Sequence, residues 1–174
     1  MSGQLDRLDA VIAAALDDAE LHYERPRPGA FLVALAGQHK LATNCWLVVG
    51  QHSLLVEAFF VRRPDENHAG FYRWLLERNA RMFGMAFSVD RLGDVFIAGH
   101  LPLASVSAEE IDRLLGCVLS YADENFDTAL ELGFAGSIRR EWAWRSDRGE
   151  SLANLAAFAH FADPDGDRPP PPGD

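Results

Sequence analysis

Cysteine, positive charge and long apolar runs are all scarce in this chain, and each scarcity removes a class of protein. Two cysteines occur in 174 residues, Cys45 and Cys117, inside the apolar runs NCWLVVG and LLGCVLSYA. Such thiols read as buried and inert in a reducing compartment, not as a disulfide framework. Lys plus Arg number 16 against 26 Asp plus Glu, a formal charge of −10. That field repels polyanions, which argues against nucleic acid and anionic membrane surfaces as partners. No apolar run approaches the ~20 residues of a membrane span. The opening MSGQLDRLDAVIAAALDDAE is acidic and amphipathic, without a basic start, an apolar stretch or a cleavage site. The expectation is a soluble, cytoplasmic protein.

Catalytic signatures are missing too. No H-E-x-x-H, G-x-S-x-G, Walker-type loop or G-x-G-x-x-G occurs. RRPDENH, Arg62 to His68, is rich in chemical groups, but most have a local structural task. Pro64 ends a strand, Asp65 suits a helix N-cap, and Glu66 suits the positive end of the helix dipole. Asp65 and His68 alone would make a weak metal site. Asp90 and Asp94 flank RLG and read as turn formers, and DENFD (Asp123, Glu124, Asp127) reads as a solvated face. No catalytic residue, cofactor or metal is expected.

What is present is a fold pattern. The 48% apolar content suits one domain, which at this length buries roughly 70% of the unfolded chain's surface. Leu5, Leu8, Ile12, Ala15 and Ala19 keep helical spacing, and RPRPG (Arg25 to Gly29) stops that helix. Three apolar runs follow, Ala30–Gly37, Ala42–Gly50 and Ser53–Arg63, joined by connectors of hairpin length. In the third, Leu54, Val56, Ala58 and Phe60 share one face; Leu55, Glu57, Phe59 and Val61 share the other. Both faces are largely apolar, so a cover over the second is expected.

A second helix is expected over Asp65–Phe83, then strands MAFSVDRL and DVFIAGHLPL. A third helix opens on the capping box Ser107–Glu110, carries Ile111, Leu114, Leu115, Val118, Ala122, Phe126 and Leu130, and ends at Gly133. SIRREWAWRSD reads as a short further helix. The order α-β-β-β-α-β-β-α implies an α+β fold, a five-stranded antiparallel sheet with helices packed on it. Residues 1–148 form one expected domain and 149–162 a short C-terminal helix. Residues 163–174, acidic and proline-rich, are expected to be disordered.

Trp142 and Trp144 lie in RREWAWR beside Arg145, and Trp74 and Arg78 stand one turn apart on the second helix. Trp and Arg dominate interface anchors, so Trp74, Arg78, Trp142, Trp144 and Arg145 are the candidate protein-interaction residues. The competing reading is that the indoles pack onto the sheet.

RRPDENHAGFYRWLLERN, AFSVDRLGDVFIAGHLPL, IDRLLG and REWAWR together resemble the YbjN domain of actinobacterial proteins, over about Ala30 to Arg145. The resemblance implies a fold similar to type III secretion chaperones, a loosely described sensory-transduction role, and no catalytic residues. The leading expectation is a non-enzymatic protein-binding module, homodimeric, holding a protein partner. The alternative is a small-molecule sensor or enzyme with a pocket lined by His100, Asp90 or Asp94.

Overall fold

Edge strands tolerate proline, and the stretch expected to break the first helix uses that tolerance. A computed structural model of the chain describes residues 2–164. Its elements run α1 (Ser2–Asp18), β1 (Tyr23–Arg27), β2 (Ala30–Ala36), β3 (Ala42–Val49), β4 (Ser53–Val61), α2 (His68–Asn79), β5 (Ala86–Val89), β6 (Val95–Pro102), α3 (Ala108–Arg148) and α4 (Ala159–Ala162). Short 3-10 segments at Leu103–Ser105 and Ala153–Phe158 precede α3 and α4. The sheet is antiparallel, in the order β1-β2-β3-β4-β6-β5.

The sheet therefore has six strands, not the five expected. The extra one is YERPR, which overlaps the RPRPG (Arg25 to Gly29) read from sequence as a helix stop. It pairs with β2 at Tyr23–Val33, Glu24–Leu32 and Arg27–Ala30, with a register shift between Glu24 and Arg27. Pro26 falls inside that irregularity on an outer strand, where its missing N–H breaks no ladder bond.

Two compact units make up the chain. The first holds residues up to Arg63 and Trp74–Phe126; the second holds Pro64–Arg73 and the residues from Asp127 on. α2 and α3 each run from one into the other. In the first unit, Phe31, Val33, Leu35, Cys45, Leu47, Leu54, Val56, Phe60 and Ile97 on one sheet face are buried, as are Leu8, Ile12 and Leu16 of α1 and Ile111, Leu114, Leu115 and Val118 of α3. The Phe60 ring meets Phe126 of α3 at 6.3 Å and Phe87 of β5 at 5.0 Å.

Carboxylates tie connections to helices. Asp9, 3% exposed on the apolar side of α1, accepts the Gly29 N–H at 2.9 Å and pairs with Arg25. Gly29 has φ +76°, which favours glycine. Asp123 was read as part of a solvated face; its Oδ1 instead accepts the backbone N–H groups of Gln38, His39 and Lys40 at 2.8, 2.8 and 3.0 Å. One carboxylate thus clamps the β2–β3 turn to α3.

In the second unit the expected helix ends move. α2 begins at His68, not at Asp65. Asp65 accepts the Ser137 hydroxyl at 2.7 Å and Glu66 accepts the Gly136 N–H, so both carboxylates bond α3. The backbone carbonyl of Asn67 opens the helix by accepting the Phe71 N–H at 2.8 Å. Gly133 does not end α3, and SIRREWAWRSD is no separate helix; α3 runs unbroken from Ala108 to Arg148, 41 residues in all. A Cβ at Gly133 would lie 2.8 Å from the Pro64 Cβ and 3.0 Å from Phe71. The glycine is there for close approach. The true stop is Gly149, φ +68°, where the N–H groups of Gly149 and Glu150 bond the carbonyls of Ser146 and Arg145. The tail expected to be disordered lies outside the described residues from position 165 on.

Candidate functional site

The second face of the sheet was expected to be covered; within the chain its Trp46 and Phe59 are exposed, while Leu32, Val48, Leu55 and Phe96 are half-buried. Trp46 is 38% and Phe59 43% accessible. Strand register assembles this face in rows, because directly opposed residues project to the same side. One row reads Glu24–Leu32–Trp46–Glu57–Ala98–Ala86 across all six strands. The row beside it contains Phe59–Phe96–Ser88, with the two phenyl rings edge to face at 5.6 Å. On the other side run Ala30–Val48–Leu55–His100. His100 is exposed, with its Nδ1 3.2 Å from the Ser53 hydroxyl.

The edges of the sheet are less available than the face. β1 carries Pro26 and the register shift. On β5, the Asn79 side chain donates to the Phe87 carbonyl (3.0 Å) and accepts its N–H (2.7 Å). Asn79 thus occupies the main-chain groups of Phe87 that an added strand would pair with, a way of blunting an edge.

The five anticipated interaction residues divide between the two units. Trp74 is half-buried in the first unit, 6.2 Å from the Phe87 ring, with the Arg78 guanidinium 5.6 Å over it. In the second unit, Trp142 is buried at 8% exposure, and no hydrogen-bond acceptor meets its indole N–H. Trp144 is 44% exposed, beneath the Arg148 guanidinium at 4.6 Å. Arg145 is spent locally, on Glu141 at 2.6 Å, the Ser151 carbonyl at 3.3 Å and Glu150 at 3.8 Å. Trp144 and Arg145 share a cleft of about 640 Å³ with Ser137, Arg140, Glu141 and Glu150.

The alternative pocket does not assemble. Asp90 accepts the N–H groups of Leu92 (2.8 Å) and Asp94 (3.0 Å), and Asp94 accepts that of Arg63 (2.8 Å), so both hold the β5–β6 turn. His100 stands on the open face. The cleft of about 990 Å³ in the first unit is lined by Gln4, Leu5, Leu8, Val49, Gly50, Gln51, His52 and Leu103, and includes none of these three. Among the described residues, no three His, Cys, Asp or Glu side chains gather as metal ligands. In RRPDENH, the His68 Nε2 meets the Pro64 carbonyl at 2.8 Å while Asp65 turns to Ser137. Burial pushes the Cys45 thiol up to about 12, far from a reactive thiolate at neutral pH, and Cys45 and Cys117 are unpaired. No described helix is long and apolar enough to cross a membrane.

The residues missed in the sequence are those of the open face, above all Trp46, Phe59 and Phe96. A signal was there: period-two spacing already put Leu55, Glu57 and Phe59 on one side of an apolar strand.

The architecture is α+β, an antiparallel sheet with helices packed on it. Solved structures of that shape include the ExsC–ExsE complex (TM-score 0.52, 18% identity, 70% of this chain and 92% of that one) and the HopA1–SchA chaperone–effector complex (TM-score 0.50, 14% identity, 70% and 93%). The chain belongs to the YbjN family, whose model, described as "Putative bacterial sensory transduction regulator", matches residues 8–131. Its relatives include uncharacterized protein Rv0487 of Mycobacterium tuberculosis, 49% identical over 92% of this chain and 91% of that one. Uncharacterized protein ML2442 of Mycobacterium leprae is 53% identical over 78% and 74%.

Proposed function

We propose that this chain is a non-enzymatic, cytoplasmic protein-binding module, chaperone-like or regulatory, that holds polypeptide on the open face of its sheet. One observation carries the reading: Trp46 and Phe59 remain exposed on a sheet face that also presents Leu32, Val48, Leu55 and Phe96. Isolated apolar side chains on a surface need no explanation, but a contiguous patch marks an interaction site. The closed edges favour docking over the face rather than strand addition. The net charge of −10 weighs against nucleic acid and anionic membranes. The chaperone–effector complex of similar fold lends the reading a precedent in a different protein.

The same reading makes the protein a homodimer. Leu76 of α2, Phe83 before β5, Val89 of β5 and Leu92 of the following turn are 70%, 65%, 48% and 65% exposed. They stand on neighbouring elements around the outer strand β5, apart from the face assigned to the partner, and a second copy is their occupant.

Suppression of the aggregation of reduced lysozyme tests the holding role. The wild type is expected to suppress it at near-stoichiometric amounts, and Trp46→Asp and Phe59→Asp to lose this while keeping their circular dichroism. No suppression by the wild type contradicts the reading. Sedimentation as a monomer at high concentration contradicts the dimer.

A further inference from the structure

We infer that the open face selects a segment bearing cationic side chains, with Glu57 as the central counter-charge. This deepens the holding role and rests on it. Glu57 lies in the middle strand of the exposed row, with Trp46 directly across on one side and Ala98 on the other. Leu55 and Phe59 flank it two residues away on the same strand, and Phe96 lies beside Phe59. Among the described residues no cation pairs with Glu57, although it is half-buried. A carboxylate framed by an indole and two phenyl rings has the chemistry that receives a lysine or arginine. The aliphatic stem packs on the rings, the rings attract the cation through their faces, and the carboxylate accepts the N–H groups.

A second acid, Glu24, stands at the end of the row. Glu24 opposes Leu32, which opposes Trp46, which opposes Glu57. Three strand spacings of about 4.8 Å separate the two acids, so roughly 14 Å. An extended segment covers that distance in about four residues. The segment lying along this row carries two cations four positions apart, with an apolar residue between them over Leu32 and Trp46. The one cation on this side of the strand pairs, Arg27 opposite Ala30, stands at the corner of the neighbouring row. The charge of −10 adds attraction for such a segment at long range.

Three peptides test this by NMR titration: acetyl-Thr-Lys-Thr-Phe-Thr-Lys-Thr-amide and the versions with Gln or Glu in place of both Lys. The Lys peptide is expected to shift the Trp46 indole resonance and to bind about tenfold more tightly than the Gln peptide. The Glu peptide is expected not to bind. Glu57→Gln removes the preference for Lys, whereas Glu109→Gln, on exposed α3 surface, preserves it. Equal binding of the Lys and Gln peptides, or an equal loss in both variants, overturns the inference and leaves an apolar docking face. If no peptide moves the Trp46 resonance but unfolded lysozyme does, only the cation preference falls. If neither moves it, the holding role falls as well.

Discussion

Alanine at Gly133 and alanine at Gly116 are expected to shift stability in opposite directions, although both glycines lie in α3. In a helix interior, Gly→Ala gains up to about 1 kcal/mol of propensity. At Gly116, exposed and with no heavy atom within 4 Å of the new Cβ, that gain is realised in full. At Gly133 the Cβ arrives 2.8 Å from the Pro64 Cβ and 3.0–3.1 Å from two Phe71 ring carbons. Neither neighbour yields easily: Pro64 is a ring, and Phe71 is fully buried with no solvent side to swing into. Overpacking of this kind costs about 1–3 kcal/mol, which exceeds the propensity gain. The net effect is a loss of up to about 2 kcal/mol at Gly133 against a gain of about 1 kcal/mol at Gly116. Urea unfolding followed by circular dichroism measures both. Stabilisation by Gly133→Ala as large as by Gly116→Ala would refute the close approach.

Three further outcomes follow from the same contacts. Asp123→Ala leaves three N–H groups of the β2–β3 turn without their carboxylate; about 1–2 kcal/mol is lost, and the amides of Gln38, His39 and Lys40 exchange faster, whereas unchanged exchange contradicts the clamp. Because burial raises the Cys45 thiol from 9.0 to about 12, the native protein binds a proton that the unfolded chain releases. Its stabilising contribution is complete below pH 9 and declines from there toward pH 12; Cys45→Ala, measured over that range, should show a shallower decline. Trp142→Ala should cost roughly 3–5 kcal/mol as a buried aromatic, while Trp144→Ala stays within about 0.5 kcal/mol, a contrast that thermal melts of the two variants read directly.

Much of this architecture is legible from periodicity. α1, the strands β2 to β4 and the β5–β6 hairpin follow from apolar spacing and turn residues, and the Ser107 cap bonds the Glu110 N–H at 3.2 Å as its motif implies. What escapes is decided by tertiary contact. β1 is hidden because the prolines of ERPRPG signal a break, and only the neighbour β2 turns them into an outer strand. Gly133 looks like a helix end because glycine usually marks one; the approach of Pro64 and Phe71 is invisible locally. Asp9 and Asp123 look solvated because nothing adjacent in sequence shows the N–H groups they accept.

The candidate site follows the same pattern. Two apolar faces on one strand were readable, but whether anything covers the second depends on the whole fold. Val61, grouped by simple alternation with Phe59, is buried because the register shifts between Phe59 and Val61. The Trp and Arg residues favoured by type divided between packing (Trp142), local ion pairing (Arg145) and exposure (Trp144).

The most direct test of the central claim is the indole N–H resonance of Trp46 in a proton–nitrogen spectrum, recorded as reduced, unfolded lysozyme is added. Docking on the open face predicts that this signal shifts or broadens first, together with the amides of Leu55, Glu57, Phe59 and Phe96, while those of α1 stay in place. A spectrum in which the open face stays still and another surface responds would contradict it.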